Sequence, residues 1–422
     1  MTEKSSIRGR TESPSEETQE ENQEATFEGA PEGPRLAPET LAMPGTIYSP
    51  FLDRERDPTK PLYPLHVGDT WRDPFPGARS EDFRAADHPR LHAYGDTRGL
   101  PELIEAIATK LRTRNGLVHA PEEILVTAGA TGGLAALAGA VLSPGDEILI
   151  LAPFWPLIKG IAQSVRANPV EVPFFDRVAS GAEAVAAVEA KRSSRTRALY
   201  VSTPSNPTGR VLDAEWLEAL SAWARKNDLW IFSDEVYEDF VYSGEHVSMA
   251  GFAPERTVSV YSFSKSFAMA GQRVGYLAGP HTIVDNARKI GTHLYYHAPV
   301  VGQRTALAAL ENGADWVRRA RSEDEAIGKK VAHLLGLDVP EGGTFLFLDM
   351  RAYLDERGLF GVLEDCFEQG VLVAPGGSCG VDYGDWIRLS YTAAPADAVL
   401  DAANRIQRVL EARSSRASAS SS

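Results

Sequence analysis

Three charged side chains in this sequence stand where a routine surface role does not explain them. Lys265 comes just after the apolar run 257–261, and Asp234 directly follows the apolar run 229–233. A carboxylate at the end of a buried strand needs a cation or hydrogen-bond donors to offset its burial, although a helix cap is the commoner reading of a lone Asp. Arg273 lies among glycine and apolar positions. A lysine amine at the end of a central strand suits an aldehyde partner, so the set predicts a bound ligand rather than solvated surface charges.

Two loops add groups of a different kind. The small residues 129–133, Gly-Ala-Thr-Gly-Gly, follow the apolar run 124–127 and open a helical stretch. Such a turn offers free N–H groups and a helix dipole to a phosphate, although close packing explains small residues equally well. The loop 203–209 holds Asn206 between two prolines and a glycine. Each loop is unremarkable alone, and its position after a buried strand gives it meaning.

One ligand satisfies all of these groups. Its phosphate suits the glycine turn, Ser262 and Arg273, and its ring cation suits Asp234. A phenolic oxygen suits Asn206 and Tyr237, and an aldehyde suits Lys265. Pyridoxal 5'-phosphate has every one of these features, so we expect it as the cofactor.

The elements that must position these side chains alternate along the chain. Strand-type apolar runs alternate with helical stretches at 133–142, 181–192 and 214–227, the last with Asp213 as a plausible N-cap. This alternation predicts an α/β fold with a mostly parallel sheet, because ligands and crossover helices follow parallel strands. The seven expected strands are 124–127, 147–151, 170–173, 198–202, 229–233, 257–261 and 275–278. After residue 299 a long helix over 300–328 and strands at 344–349 and 386–390 predict a smaller α+β domain.

At this point the sequence resembles the class I/II aminotransferases, which belong to the aspartate aminotransferase superfamily of fold type I. The resemblance covers roughly residues 45–410 and rests on motifs in a fixed order. These are Tyr94 to Gly99, Gly129-Ala130-Thr131, Pro153-Phe154-Trp155, Asn206-Pro207-Thr208-Gly209, Asp234 to Tyr237, Ser262-Phe263-Ser264-Lys265, Arg273 and Arg388. The order and spacing together make the match specific.

The resemblance implies a role for each matched residue. Lys265 would hold the cofactor as a Schiff base and shuttle a proton, Asp234 would pair with the ring nitrogen, and Trp155 would stack on the ring. Asn206 and Tyr237 would hydrogen-bond the ring oxygen. The phosphate would be held by Ala130, Thr131, Ser262 and Arg273.

The substrate side is implied in the same way. Arg388 would take the substrate α-carboxylate as a bidentate pair, a geometry that lysine does not reproduce. Gly68, in a strand expected at 65–69, would line the substrate side together with Trp155 and Asn206. Tyr94 would reach the phosphate of a neighbouring subunit, so the resemblance implies a homodimer.

Some regions depart from the family pattern. Gln272 stands where relatives usually carry an aromatic or apolar residue. The segment 48–73 follows the common pattern poorly, and the stretch 293–297 is unusually aromatic. Packing explains the aromatic residues, and a pocket tuned to a particular side chain is the alternative. No histidine shows metal-ligand spacing, so we expect no metal site.

The leading function is therefore transamination between an L-amino acid and a 2-oxo acid. The same scaffold supports β- or γ-elimination, replacement and cyclisation, since the shared motifs stabilise a carbanion without deciding its fate. A third interpretation is a non-catalytic regulatory protein that binds the cofactor. The acidic N-terminal residues disfavour it, because such proteins carry a DNA-binding domain ahead of this fold. The sequence leaves the substrate side chain open.

Composition sets the remaining limits. The net charge of −15 argues against a nucleic-acid partner, and no apolar run is long enough for a membrane helix. Two cysteines and an N-terminus without a signal-like apolar core predict a cytoplasmic protein. Residues 1–40, with ten glutamates against four basic residues, predict a disordered acidic tail. We expect a segment joining the small domain at 41–95, the large cofactor-binding domain at 96–300, the small domain at 301–412 and a disordered tail at 413–422.

Overall fold

The computed structural model describes residues 36–41, 43, 49–55, 59 and 61–420. Its larger sheet has seven strands and its smaller sheet has three. The seven strands are β1 Ile124–Thr127, β2 Glu147–Ala152, β3 Asn168–Pro173, β4 Thr196–Ser202, β5 Trp230–Asp234, β6 Thr257–Ser262 and β7 Gly275–Ala278. The three strands are β8 Phe345–Asp349, β9 Ala374–Pro375 and β10 Trp386–Ser390.

Helices cover both faces of the larger sheet and one side of the smaller one. They are α1 Pro38–Leu41, α2 Pro101–Arg114, α3 Gly129–Val141, α4 Leu157–Ser164, α5 Gly181–Lys191, α6 Ala214–Lys226, α7 Phe263–Ser266, α8 His281–Leu294, α9 Val300–Asn312, α10 Ala314–Leu334, α11 Gly358–Glu368 and α12 Ala396–Ser420. Within the part of the chain that the structure describes, no helix is both long and apolar enough to span a bilayer.

The larger sheet runs β1-β7-β6-β5-β4-β2-β3, and all its pairs are parallel except the two that β7 makes with β1 and β6. The predicted mostly parallel, seven-stranded α/β fold is confirmed. Its strands are apolar on both faces because helices cover both sides. Every residue of β1 and β2 is buried, for instance.

Helix boundaries follow local chemistry. Asp213 is the N-cap of α6, and its side chain accepts a hydrogen bond from the Trp216 N–H at 3.3 Å, as the sequence predicts. The prediction of a single helix over residues 300–328 is wrong. The structure has two helices, α9 and α10, with Gly313 between them. A Cβ at Gly313 would lie 2.8 Å from the Phe267 ring, so close packing requires glycine there.

Three other expectations differ from the structure. Residues 65–69 form an irregular turn rather than a strand, and the preceding Tyr63 makes an isolated β-bridge with Val371. Residues 38–41 form one helical turn inside the expected tail, and α1 contacts α4. Residues 1–35 lie outside the described residues. At the other end α12 continues to Ser420, beyond the expected boundary at residue 412.

The smaller domain has its own core. Its three-stranded antiparallel sheet packs against α10, α11 and α12 around a cluster that includes Leu346, Val362, Ile387 and Ile406. The residues between β7 and this domain form α8 and α9, and α8 packs on α3. The smaller domain contacts the loops that follow β4 and β5, through Arg388 to Asn206 and a bridge between Val241 and Gly342.

Candidate active site

Residues at the carboxyl ends of the central strands converge on one large cavity. Asp234 ends β5, Ser262 ends β6, and Lys265 lies in the short helix that follows. The cavity has a volume of about 790 Å³. The structure brings eleven of the twelve predicted site residues to its wall, namely Gly68, Ala130, Thr131, Trp155, Asn206, Asp234, Tyr237, Ser262, Lys265, Arg273 and Arg388.

The twelfth residue, Tyr94, lies elsewhere. Its side chain is 82% exposed, and its ring lies 4.7 Å from the ring of Tyr296 between centroids. The His297 ring packs edge-on against the Tyr94 ring, with 6.1 Å between the two centroids. Tyr296 and His297 therefore pack with Tyr94, Tyr295 packs against Gly132 and Gly291, and none of residues 293–297 lines the cavity.

Lys265 points across the cavity to the turn at residues 65–69. Its Nζ donates a hydrogen bond to the carbonyl oxygen of Gly68 at 2.5 Å. Burial lowers the pKa of the Lys265 amine, and the nearby cations Arg388 and Arg273 act in the same direction, while Asp69 and Asp234 oppose them. An amine with a lowered pKa is available as a neutral nucleophile at a lower pH than an exposed lysine.

Asp234 is a buried carboxylate with one strong partner. Tyr200, on the neighbouring strand β4, donates its hydroxyl to Asp234 Oδ2 at 2.6 Å. Burial raises the pKa of Asp234 to about 6, although the Tyr200 hydrogen bond opposes the rise. A buried anion of this kind favours a cationic ligand group, because a cation would restore the ionised form.

The glycine turn has the geometry of an anion cradle. Gly129 has φ +70, and a Cβ there would lie 2.3 Å from the Arg273 guanidinium. Only glycine therefore lets Arg273 approach the first turn of α3, where free backbone N–H groups favour an anion. Arg273 itself has φ 54, in the left-handed region, and its guanidinium donates to the Ala270 carbonyl at 2.8 Å.

Arg388 on β10 closes the cavity from the small domain. It donates to Asn206 Oδ1 at 3.0 Å and to the carbonyl oxygen of His66 at 3.1 Å, and its guanidinium lies 4.7 Å from the Phe345 ring centroid. Its buried Nε has no hydrogen-bond partner in the described structure. A buried guanidinium with an unused donor is suited to a carboxylate ligand.

Some residues of the site were not predicted from the sequence. Tyr200 was missed because it lies inside a buried strand, where a tyrosine is usually core. Asp69 lines the cavity beside Gly68 and was also missed, although its position next to a predicted site residue was a usable signal. Gln272, which departs from the family pattern just before Arg273, does not line the cavity, and its side chain donates to the Ala78 carbonyl at 3.1 Å.

Fold and site together define an α/β protein with a buried lysine amine in a cavity beside its two sheets. A family model described as "Aminotransferase class I and II" matches residues 61–406. The chain belongs to this family, and it is an aminotransferase.

Individual relatives and solved structures similar to this chain are also named as aminotransferases. The aspartate/prephenate aminotransferase of Thermus thermophilus is 34% identical over 336 residues, which cover 75% of this chain and 83% of that protein. The solved structure of Thermus thermophilus aspartate aminotransferase with maleate has a TM-score of 0.80 and 30% identity, covering 89% of this chain and 100% of that one. The aromatic aminotransferase from Pyrococcus horikoshii has a TM-score of 0.75 and 31% identity, covering 82% and 95%.

These findings favour transamination over the other interpretations of the sequence. The relatives described above are named as aminotransferases, which supports neither the lyase or cyclase reading nor a regulatory protein. Their names differ in substrate, so they do not fix the substrate of this chain.

Proposed function

We propose that the cavity binds pyridoxal 5'-phosphate through Lys265 and that the protein moves an amino group between an L-amino acid and a 2-oxo acid. The observation that carries this proposal is the convergence of the Lys265 amine, the Asp234 carboxylate and the Arg388 guanidinium in one cavity. The family is pyridoxal-phosphate dependent, and the donor set of the cavity fits each end of that cofactor.

The residues that would hold the cofactor fall into three groups. The N–H groups of Ala130 and Thr131, with Ser262 and Arg273, would hold the phosphate. Asp234 would hold the protonated ring nitrogen, with Tyr200 fixing its orientation. The ring would lie against Trp155, and its oxygen would accept hydrogen bonds from Asn206 and Tyr237. The Gly129 cradle and the buried Asp234 are the structural features that support the fit.

When bound, the cofactor withdraws electrons from the substrate α-carbon and stores the amino group between the two half-reactions. Arg388 binds the substrate α-carboxylate and so orients the α-hydrogen toward Lys265. Asn206 and the His66 carbonyl hold Arg388 in place before the substrate arrives. Lys265 would hold the cofactor, and its Nζ would take up and return the proton of the substrate α-carbon. Burial supports this step because it favours the neutral amine.

A single-turnover experiment tests the reaction. The holoenzyme is mixed with one amino acid at a time, without any oxo acid, and its visible spectrum is followed. We expect the amino form of the cofactor to accumulate and then to be discharged by a 2-oxo acid. Release of ammonia or a cyclised product, with the original spectrum restored and no acceptor present, would instead identify elimination or cyclisation.

The same experiment identifies the substrate when it is run as a screen. Dicarboxylic and aromatic amino acids come first, because relatives are named aspartate/prephenate and aromatic aminotransferases. Borohydride reduction of the holoenzyme followed by peptide mapping checks the attachment point. Label on a lysine other than Lys265 would contradict the assignment.

The functional unit that we propose is a homodimer in which Tyr94 reaches the phosphate of the second subunit. The exposed Tyr94–Tyr296 cluster supports it, since large exposed aromatic groups are typical of interfaces. Mixing inactive Lys265→Ala subunits with inactive Tyr94→Ala subunits should restore part of the activity, because one of the two sites in a mixed dimer is intact. No recovery in mixed dimers of verified composition would contradict a shared site.

We also propose that the protein works in the cytoplasm. Both cysteines, Cys366 and Cys379, are free and buried, which is typical of a reducing compartment. Fractionation of the source cells with an antibody to the full chain tests this proposal. Recovery with the secreted or membrane fraction would contradict it.

A further inference from the structure

A second buried carboxylate follows Asp234 in the chain and belongs to a different network. Glu235 is completely buried, and its backbone N–H donates to the Val260 carbonyl on β6 at 2.9 Å. Five side-chain groups surround its carboxylate. The hydroxyls of Ser233, Ser248 and Ser259 donate to Oε1 at 2.8, 2.7 and 2.8 Å, and Tyr261 OH and His246 Nε2 lie 3.0 and 2.8 Å from Oε2.

These contacts use the full accepting capacity of the carboxylate. A carboxylate has about four lone-pair sites, and here it meets five donors from β5, β6 and the loop 243–248. Such a set stabilises a charge that burial alone would expel. The cavity wall does not include Glu235, Ser248, Ser259 or His246. Their arrangement is therefore not explained by contact with a ligand.

His246 is the basic member of this network. Its ring is nearly buried, and Glu235 is the partner that faces its Nε2. Burial opposes the charged form, yet the Glu235 carboxylate outweighs it and raises the pKa of His246. Burial also opposes the charged form of Glu235. The interactions with His246 and the serine hydroxyls outweigh burial and lower the pKa of Glu235. Both shifts favour an ion pair with no net charge.

Other titratable groups face this pair from α2, β6, β7 and the preceding loops. Lys110 forms an ion pair with Glu238 and lies 4.5 Å from the Tyr261 ring centroid, so that neighbouring pair is also balanced. Asn115 donates to Glu238 Oε2 at 2.6 Å. Three further titratable groups lie near the pair: Tyr276, Asp234 and His119. His119 is itself paired with Glu123.

We propose that Glu235 and His246 are positioning residues, a neutral buried pair that fixes the turn carrying Asp234 and Tyr237 and prevents a second negative charge from acting on the cofactor ring. The proposal rests on the assignment of Asp234 to the ring nitrogen. Because Asp234 and Glu235 are adjacent, an uncompensated charge on Glu235 would make Asp234 a poorer anion, as its raising effect on the pKa of Asp234 indicates. His246 would remove that effect without touching the ligand.

The test is a pH titration of the visible absorbance of the lysine-bound cofactor in four holoenzymes: wild type, His246→Gln, Glu235→Gln and the double variant. His246→Gln keeps a hydrogen-bond donor and removes the cation, so the extra negative charge should move the titration midpoint to higher pH. A unit charge on the order of 10 Å away at an effective dielectric of about 20 predicts roughly one pH unit.

The other two variants separate charge from geometry. Glu235→Gln should leave the midpoint within about 0.3 pH unit, because a buried imidazole without its partner loses its proton. The double variant should also return close to the wild-type value, although it damages more hydrogen bonds than either single change. An unmoved midpoint in His246→Gln, or a double variant shifted as far as His246→Gln, overturns the proposal.

Val258→Ala is the matched control for lost stability. Val258 is a fully buried apolar residue next to Ser259 on β6, so its truncation should lower Tm without moving the midpoint. A midpoint shift in this control equal to that of His246→Gln would show that loosening of β6 suffices, which also overturns the proposal.

A measurement on the wild type covers the case in which His246→Gln does not fold. Ring-labelled histidine in the holoenzyme allows the protonation of His246 to be followed by NMR, with the other histidines assigned by single substitutions. The pKa of His246 should lie above that of free histidine, and a pKa at or below it overturns the proposal. Failure of the protein to bind the cofactor at all would instead contradict the proposed function, so the two failures are distinguishable.

Discussion

The two halves of the cavity are built differently. In the large-domain half, Asp234, Ser262 and Lys265 end or directly follow buried strands, and their positions are set by the sheet. In the closing half, Gly68 lies in a turn and Arg388 on a strand of the smaller sheet. The proposed cofactor side is therefore fixed by local strand ends, while the proposed substrate side depends on contacts between segments far apart in the chain.

Those distant contacts hold the turn at residues 65–73 against the small domain. The Thr392 hydroxyl donates to the Asp69 carbonyl at 2.9 Å, and Trp71 N–H donates to the Thr392 carbonyl at 3.0 Å. Arg72 pairs with the buried Asp324 of α10 at 2.7 Å. A change of small-domain position would consequently move Gly68 and Arg388 together and leave Asp234 and Lys265 in place.

The largest expected effect is on the large-domain half. Lys265→Ala should lower kcat by roughly 10⁴-fold or more, because it removes both the attachment point and the proton carrier. Far-UV circular dichroism should be unchanged. Lys226→Ala, an exposed lysine at the end of α6, is the control and should retain full activity. Substantial turnover in Lys265→Ala would contradict the assignment of the site.

A smaller effect is expected on the closing half. Arg388→Lys should lower kcat/KM by roughly tenfold to a hundredfold, since a hydrogen bond to a charged group contributes about 1.5–3 kcal/mol. Cofactor affinity, measured by equilibrium dialysis, should change much less. Arg405→Lys on α12 of the same domain is the control, because its partner is Asp401 and not the cavity. Equal losses in substrate and cofactor binding would show that the two halves are not separable.

A pH effect of up to tenfold per pH unit is expected on cofactor affinity. Burial raises the pKa of Asp234 to about 6 in the cofactor-free chain, so its ionised fraction falls as pH drops through that value. A ring cation needs the ionised form, and affinity should therefore decrease below about pH 6. The stability of the cofactor-free fold should depend on pH in the opposite way. A carboxyl whose pKa is raised by folding stabilises the folded state at low pH, and this contribution is lost as pH rises through about 6.

Asp234→Asn is the comparison that isolates this effect. The cofactor phosphate titrates in the same range, with a second pKa near 6, and does so in both proteins. Dissociation constants measured from pH 5 to 8 should show the steeper dependence in the wild type. Parallel profiles would mean that Asp234 is ionised throughout and that its burial is offset by other groups.

The smallest effect is expected from the N-terminal residues. Deletion of residues 1–35 should leave kcat/KM and Tm nearly unchanged, because a charged segment poor in apolar residues buries little surface. Extending the deletion through residue 43 sharpens the comparison. Met43 lines the cavity and packs on Gly160 of α4, so KM should rise in the longer deletion only. A large loss in the shorter one would show that residues 1–35 bind elsewhere on the protein.

Much of the large-domain half could be predicted from the sequence. Asp234, Lys265 and Asn206 follow apolar runs, and parallel strands bring their carboxyl ends to one edge, so order in the chain translates directly into proximity. Tyr200 could not be found in this way. Its hydroxyl reaches Asp234 only because β4 and β5 are neighbours in register, a pairing that no local pattern encodes.

The closing half was less predictable for a related reason. Residues 65–69 have the apolar character of a strand, yet they form a turn because the Ser390 N–H, the Thr392 hydroxyl and Lys265 Nζ hydrogen-bond their carbonyl groups from other parts of the chain. Likewise Gly313 interrupts the helix pattern over 300–328 where Phe267 leaves room only for glycine. Tertiary contacts override local propensity in both cases.

By itself the sequence determined the class of fold and the residues at the strand ends, because hydrophobic periodicity and small-residue turns are local properties. The tertiary structure alone decided three further points. It joined Glu235 to His246 across a loop, held Arg388 by Asn206 from the other domain, and placed Tyr94 on the surface with Tyr296. Each is a contact between segments whose separation in the chain carries no periodic signal, so only the packing of the folded chain defines it.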